Sequence, residues 1–300
     1  MRKLLTLILV IAMVSAIALT GCGSSKPAAT DTGKTDALKY ADGVYFAQED
    51  EFASNGYKYF AVITVNGGKI TDAYWGGTNV VPAGNKRILS MEGKYNMGGA
   101  AEWYEQAIAA EKWLIENQDP AKFKYTDDEG HTDILKTDAG AQVSIHVKEF
   151  YTLAKKALES KPVPAGQYKT PEHYVATSSL DADDKGWKYM GEFIIVNGTI
   201  VDVLFNAPFT GEFNDANAKY FKKGADGKPD PTKPSSKLVL KMDYGMNWFE
   251  QAQNSADYIV KNQGFPVQYK DDQGHTDSIA GVSIHVIEFE ELFNKALQKK

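Results

Sequence analysis

At 300 residues, 43% of them apolar, the chain holds enough material for about two packed domains. A net charge of −6 without any basic block excludes a protein that tracks a phosphate backbone, so nucleic acid is not an expected partner. One cysteine, Cys22, excludes a disulfide framework.

Arg2 and Lys3 precede an apolar run over residues 4–19, which leads into Leu19-Thr20-Gly21-Cys22. A charged start and an apolar run too short for a comfortable bilayer span read as a secretory signal over residues 1–21. The closing tetrapeptide resembles a bacterial lipobox, which implies lipidation at Cys22 and a lipid membrane as partner. The protein is then expected on the extracytoplasmic face of the cell membrane, where each buried acyl methylene adds about 0.8 kcal/mol of anchoring. Residues 22–38, rich in Gly, Ser, Ala and Thr, read as a flexible tether.

From there the sequence is written twice, as residues 39–160 and 164–300, with the join within 159–167. Strands are expected at Gly43–Gln48, 57–65 and 69–75, the last two joined by Asn66-Gly67, a strong hairpin signal. The second copy repeats the hairpin with strands at 189–196 and 199–205 around Asn197-Gly198. A helix follows, with Trp103, Ala107, Ala110 and Leu114 at helical spacing, matched by Trp248, Ala252, Ser255 and Ile259. Between hairpin and helix the copies diverge, and residues 222–237 read as a polar, mobile loop. A polar Gly-His-Thr-Asp turn ends at Asp133 and at Asp277. The last helix carries Phe150, Leu153, Ala154, Ala157 and Leu158, answered by Phe289, Leu292, Phe293, Ala296 and Leu297. Strands first and helices after predict an α+β fold, two tandem domains each with a twisted antiparallel sheet and packed helices.

A shared core must repeat its apolar spacing, but it need not repeat Gly-His-Thr-Asp or Val-Ser-Ile-His. The duplication therefore predicts a duplicated site. Ser144 and Ser283 stand just before the last helix of each copy, where free N–H groups and the helix dipole favour an anion. The ordinary role of a serine there is an N-cap.

Asp277-Ser-Ile-Ala-Gly-Val-Ser283 resembles the motif of the FMN-binding domain found in membrane and exported bacterial redox proteins. In that family a threonine after Asp-x-x-Ser-Gly-Ala carries FMN through a phosphoester. The tandem, lipid-anchored arrangement is similar to flavinylated electron-transfer lipoproteins. The likeness extends over most of the chain after the tether, including the Asp42-Gly-Val-Tyr45 opening, the hairpin and the Trp-aromatic-Glu-Gln-Ala helix. It implies that Asp277 stands at the motif aspartate, Gly281 at the glycine and Ser283 at the acceptor. In the first copy Asp138 and Ser144 match, while Gln142 replaces the glycine and Asp133 competes for the aspartate's place. A serine hydroxyl can form the same ester, so the second copy is the better candidate. The implied partners are a flavin transferase, a quinone-linked electron donor in the membrane and an extracellular acceptor. The isoalloxazine is expected near Trp248 and Tyr244, or near Trp103 and Tyr95, although core packing accounts for each aromatic equally well. The expectation is an electron carrier rather than a stand-alone enzyme; the alternative is a surface binding or scaffold lipoprotein that has lost flavin.

His131 pairs with His275 across the repeat, and His146 with His285. His146 and His285 can reach a bound phosphate or simply begin a helix. No two histidines show the i, i+4 spacing of a zinc helix, and the Gly-His-Thr-Asp turn reads as backbone bonding by Asp and Thr, so no metal is expected.

Overall fold

The computed structural model describes residues 39–81, 84–240, 242 and 245–297; the signal, Cys22, the tether and Tyr244 lie outside them. In chain order the elements are β1 (Gly43–Gln48), β2 (Tyr57–Asn66), β3 (Lys69–Asn79), α1 (Lys86–Met91), α2 (Trp103–Asn117) and α3 (Lys148–Leu158). The second half runs β4 (His173–Ser179), β5 (Met190–Val196), β6 (Thr199–Asn206), β7 (Phe221–Lys223), β8 (Pro229–Pro234), α4 (Lys237–Leu240), α5 (Trp248–Asn262) and α6 (Ile287–Leu297). β1-β2-β3 and β4-β5-β6 are antiparallel sheets, and β7-β8 is a separate two-stranded ribbon. The protein is α+β, with small antiparallel sheets and packed helices.

Two differences from expectation stand out. The run from His173 to Ser179 is a strand although its sequence carries little strand pattern; it pairs with β5 along its whole length. Residues 222–237 are not a plain loop, because Phe221 and Pro234 close the β7–β8 ribbon and Lys237 begins a helical turn.

Period-two alternation sorts each central strand between two cores. On β2, Tyr59, Ala61 and Ile63 face α2 and α3, with Trp75, Trp103 and Phe150. On β5, Phe193 and Ile195 face the second set of helices, with Phe205, Trp248 and Phe289. The intervening residues, Phe60 and Val62 on β2 and Ile194 and Val196 on β5, form a third buried cluster that joins the two sheets. The order of layers is helix, sheet, sheet, helix. Each such side chain contributes about 1.5–3 kcal/mol by leaving water.

The join between the halves is pinned to both sheets. Val163 N–H donates to Val44 O, and Gly166 N–H to Asn197 O. A Cβ on Gly166 would lie 1.9 Å from Gly198 O, so only glycine admits this approach. The described residues accordingly form a single compact unit. Among them, no helix is long and apolar enough to cross a membrane.

Polar groups are also buried between the sheets. Lys58 Nζ lies 3.7 Å from Asp202, which accepts from Gln48 Nε2 at 3.1 Å. Glu192 is 1% exposed, and among the described residues neither carboxylate oxygen forms a well-shaped hydrogen bond. Burial, with the Asp202 carboxylate beside it, pushes Glu192 up to about 8 against the pull of the Gly84 amide and Lys58. Burial also raises Asp202, opposed chiefly by Lys58.

Glu192 binds its proton more tightly folded than unfolded, so stability falls as pH rises from the ordinary 4.5 to about 8. Glu192→Gln is expected to flatten part of that decline, with Asp202 retaining the rest. Thermal melts from about pH 5 to about pH 9 should show the variant gaining on the wild type as pH rises; parallel profiles would refute this.

Candidate functional site

The repeated helices begin the site. Trp103 and Trp248 open α2 and α5, and three residues later stand Gln106 and Gln251, both essentially buried. Gln251 Oε1 accepts from Ser283 N–H at 2.7 Å, from Ile284 N–H at 3.1 Å and from Ser283 Oγ at 3.2 Å. Gln106 does the same for Ser144 and Ile145, at 2.7, 3.1 and 3.3 Å. Each amide nitrogen donates backward, Gln106 to Ala101 O and Gln251 to Met246 O. One side chain thus ties the helix start to the Val-Ser-Ile-His segment in each half.

The serines are therefore not N-caps. α3 has Val147 at its N-cap, and α6 begins only at Ile287. The two N–H groups nearest each serine hydroxyl are already taken by glutamine, so they are not open to an anion. Both serines are exposed residues, each with its hydroxyl donated to the glutamine.

The Gly-His-Thr-Asp turns support these segments from below. Val147 N–H donates to Gly130 O and Val286 N–H to Gly274 O, both at 2.9 Å. Gly130 has φ +96° and a Cβ there would lie 2.4 Å from Lys148 Cβ. Asp127 Oδ1 accepts from the Gly130 and His131 amides, and Thr276 Oγ1 donates to Gln268 O. Backbone bonding was expected of the turn's own Asp and Thr; the threonines do bond the backbone, but the bonding acid is Asp127, ahead of the glycine, while Asp277 pairs with Lys270.

Beside each serine lies a cavity. That of the second half is about 380 Å³ and is lined by Ser283, His285, Trp248, His275, Trp187, Tyr189 and Lys237, among others. That of the first half is about 290 Å³, with Ser144, His146, Trp103, Tyr95, Tyr59, Trp75 and Lys86 on its walls. Both are of small-molecule scale.

In each cavity a buried lysine sits among aromatic rings. Lys86 Nζ lies 4.5–5.0 Å from the centroids of Tyr57, Tyr95, Tyr59 and Trp103, and donates to Tyr59 Oη at 2.7 Å. Lys237 Nζ lies 4.5 Å from the Tyr189 centroid, 5.4 Å from Trp187 and 5.7 Å from Trp248, and donates to Tyr189 Oη at 2.5 Å. Burial pushes both ammonium groups down to about 8, against the attraction of Glu149 for Lys86 and of Asp183 for Lys237. The rings offset part of the desolvation, because their negative faces attract a cation.

Of the residues singled out from sequence, the cavities unite Ser144, His146, Trp103 and Tyr95, and in the other half Ser283, His285 and Trp248. They do not include the two motif aspartates. Asp138 and Asp277 are exposed and pair with Lys112 at 2.6 Å and Lys270 at 2.7 Å. Gly281 shapes its loop, with φ +70° and its carbonyl 3.3 Å from Asn254 Nδ2. The first copy places its positive φ earlier, at Gly140, so Gln142 is free of that requirement.

Sequence reasoning missed the lysines and the glutamines. Lys86 and Lys237 carried a signal too, since Lys86-Arg-Ile-Leu-Ser-Met91 and Lys237-Leu-Val-Leu-Lys-Met242 share Lys-x-aliphatic-Leu-x-Met at the starts of α1 and α4, but the stretches that join them to the Trp helices differ in length. Gln106 and Gln251 were visible within the repeated Trp-aromatic-Glu-Gln, and their duplication was the available signal.

No family model matches the chain, and no curated protein matches it. Two solved structures do. A solution NMR structure of a protein from Clostridium thermocellum is 43% identical, covering 39% of this chain and 89% of its own, with a TM-score of 0.31. A crystal structure of a protein from Clostridium perfringens is 24% identical, covering 40% of this chain and 87% of its own, also with a TM-score of 0.31.

Two outcomes test this geometry. Gln251→Leu strands two backbone donors, and urea unfolding should show a loss of about 2–5 kcal/mol, while exposed Gln253→Leu stays near neutral. In NMR titrations of ¹³C-labelled lysine, two amines should titrate near 8 instead of near 10.5, one lost with Lys86→Met and one with Lys237→Met. A spectrum with every amine in the ordinary range would contradict the caged geometry.

Proposed function

We propose that this chain is an exported, lipid-anchored electron carrier built of two FMN-binding-type domains. FMN is joined by phosphoester to Ser283 and, less favourably, to Ser144. A flavin transferase attaches it from FAD, the serine oxygen replacing AMP on the FMN phosphorus as the pyrophosphate bond breaks; a quinone-linked donor in the membrane reduces it, and an acceptor outside the cell oxidises it. Cys22 holds the protein to the membrane through its lipid, and residues 22–38 give it reach.

The observation that carries this reading is the duplicated cavity. In both halves an exposed serine lines the cavity with a lysine, a histidine and a tryptophan. The residues fit a flavin phosphate and ring. Lys237 and His285 supply cationic and hydrogen-bonding partners for a phosphate at Ser283, in place of the amides that Gln251 occupies. Trp248, Trp187 and Tyr189 supply aromatic walls for the ring. In the first cavity Trp75 Nε1 is a buried donor with no partner among the described residues, a group that a ring heteroatom would satisfy. When bound, FMN supplies the electron-accepting ring, and the protein's residues hold it and set its surroundings.

A second reading, a non-redox binding or scaffold lipoprotein, is favoured by a specific pair of facts. The amides beside each serine are already bonded, and both motif aspartates lie outside the cavities.

The test is the intact mass of the denatured protein purified from its native host, with in-gel flavin fluorescence. A flavin adduct on the peptide holding Ser283, abolished by Ser283→Ala, is the expected result. An unmodified chain from cells whose transferase labels other proteins would favour the scaffold reading.

A further inference from the structure

No metal is expected from the sequence pattern, yet the first half assembles a ligand set that the second half lacks. His131, in the Gly-His-Thr-Asp turn, and His146, two residues past Ser144, lie with ring centroids 4.3 Å apart. Glu129 completes the group. One ligand atom from each of the three lies within 4.8 Å of the other two, and Glu129 Oε2 is 3.9 Å from His146 Nε2.

We propose that Glu129, His131 and His146 bind one divalent transition-metal ion of the zinc class, with a remaining position open to water. This goes beyond the flavin reading and does not depend on it.

Three observations support the site. The first is chemistry: two imidazoles and a carboxylate suit zinc, copper and nickel rather than calcium or magnesium. Zinc bonds of about 2.0–2.1 Å put tetrahedral ligands about 3.3 Å apart, a contraction of roughly 1 Å that exposed side chains reach by rotation. The second is support from outside the group. Asp127 Oδ2 lies 2.6 Å from His131 Nδ1, and the same carboxylate accepts the Gly130 and His131 amides. A carboxylate behind a ligating histidine orients the ring and raises its basicity. The turn is itself fixed on α3 through Gly130.

The third is the other copy, which serves as an internal control. Asp271 still holds His275, at 2.8 Å. Gln273 stands where Glu129 does, a neutral amide in place of an anionic ligand. His285 is drawn to Glu288 Oε2 at 2.7 Å, and the His275–His285 centroids are 6.3 Å apart. In the first half, among the described residues, His146 makes no such contact with Glu149. The two halves have the same turn, but only the first brings both imidazoles to one shared carboxylate. His146 also lines the first cavity, so a bound ion would sit at the rim beside Ser144.

The experiment is calorimetric titration of the untagged, chelator-stripped chain with zinc ion. Copper(II) electron paramagnetic resonance serves as a second readout of nitrogen ligands. The expected result is one ion per chain, bound about tenfold or more less tightly in His146→Ala and in Glu129→Gln, and unchanged in His285→Ala. His146 and Glu129 are 47% and 73% exposed at the side chain, so neither substitution threatens the fold. Absence of saturable binding overturns the proposal. So does binding that survives both substitutions, or two ions of which one is lost in His285→Ala.

Discussion

The site depends on a buried glutamine amide. Gln106 and Gln251 each accept two backbone N–H groups from the Val-Ser-Ile-His segment and donate to the carbonyl of the loop before their own helix. An amide can accept and donate at once, which neither a carboxylate nor an apolar side chain can do. In a buried setting the two amide hydrogens of the segment would otherwise lack partners, which costs about 1–3 kcal/mol apiece. The glutamine therefore determines where the serine hydroxyl points. A matching pair works at the far end of the same helices. Gln118 and Gln263 take left-handed φ values and bond both N–H and C=O of Ile70 and of Ile200. Each long helix is held to its sheet at one end and to the site at the other.

Around that frame the cavities gain their character from what is desolvated. An ammonium among aromatic rings is stabilised by their quadrupoles but loses hydration, and the balance leaves Lys86 and Lys237 titrating near 8. Each is oriented by a tyrosine hydroxyl, Tyr59 in β2 and Tyr189 immediately before β5. The two cavities differ in one instructive way. Trp75 floors the first, while Phe205 holds the corresponding place on β6 opposite Gly191. The first half thus presents an indole donor that the second does not.

Between the halves, the two sheets hide one another's outer faces. This explains why β5 is buried at nearly every position, a pattern more usual for a strand covered on both sides. It also explains how a carboxyl such as Glu192 comes to be enclosed, since its face of β5 is the one turned to the other sheet.

Much of this was written in the sequence. The hairpins at Asn66-Gly67 and Asn197-Gly198, the Trp-led helices and the Phe-Leu-Ala stripes of α3 and α6 are local patterns. Periodicity and turn chemistry act over a few residues, so they are legible without a fold. The duplication also marked Ser144, Ser283 and the four histidines as a set. What only the tertiary structure decided is which of them meet. β4 forms because β5 offers it a partner, and Lys86 and Lys237 converge on equivalent places although the stretches that join them to the Trp helices differ in length. Asp138 and Asp277 look equivalent to site residues yet turn to solvent lysines. His131 meets His146 and Glu129 while their counterparts part, because one glutamine and one histidine–glutamate contact redirect the second copy. Such contacts join residues far apart in the chain, and their geometry is fixed by packing, which local sequence pattern does not encode.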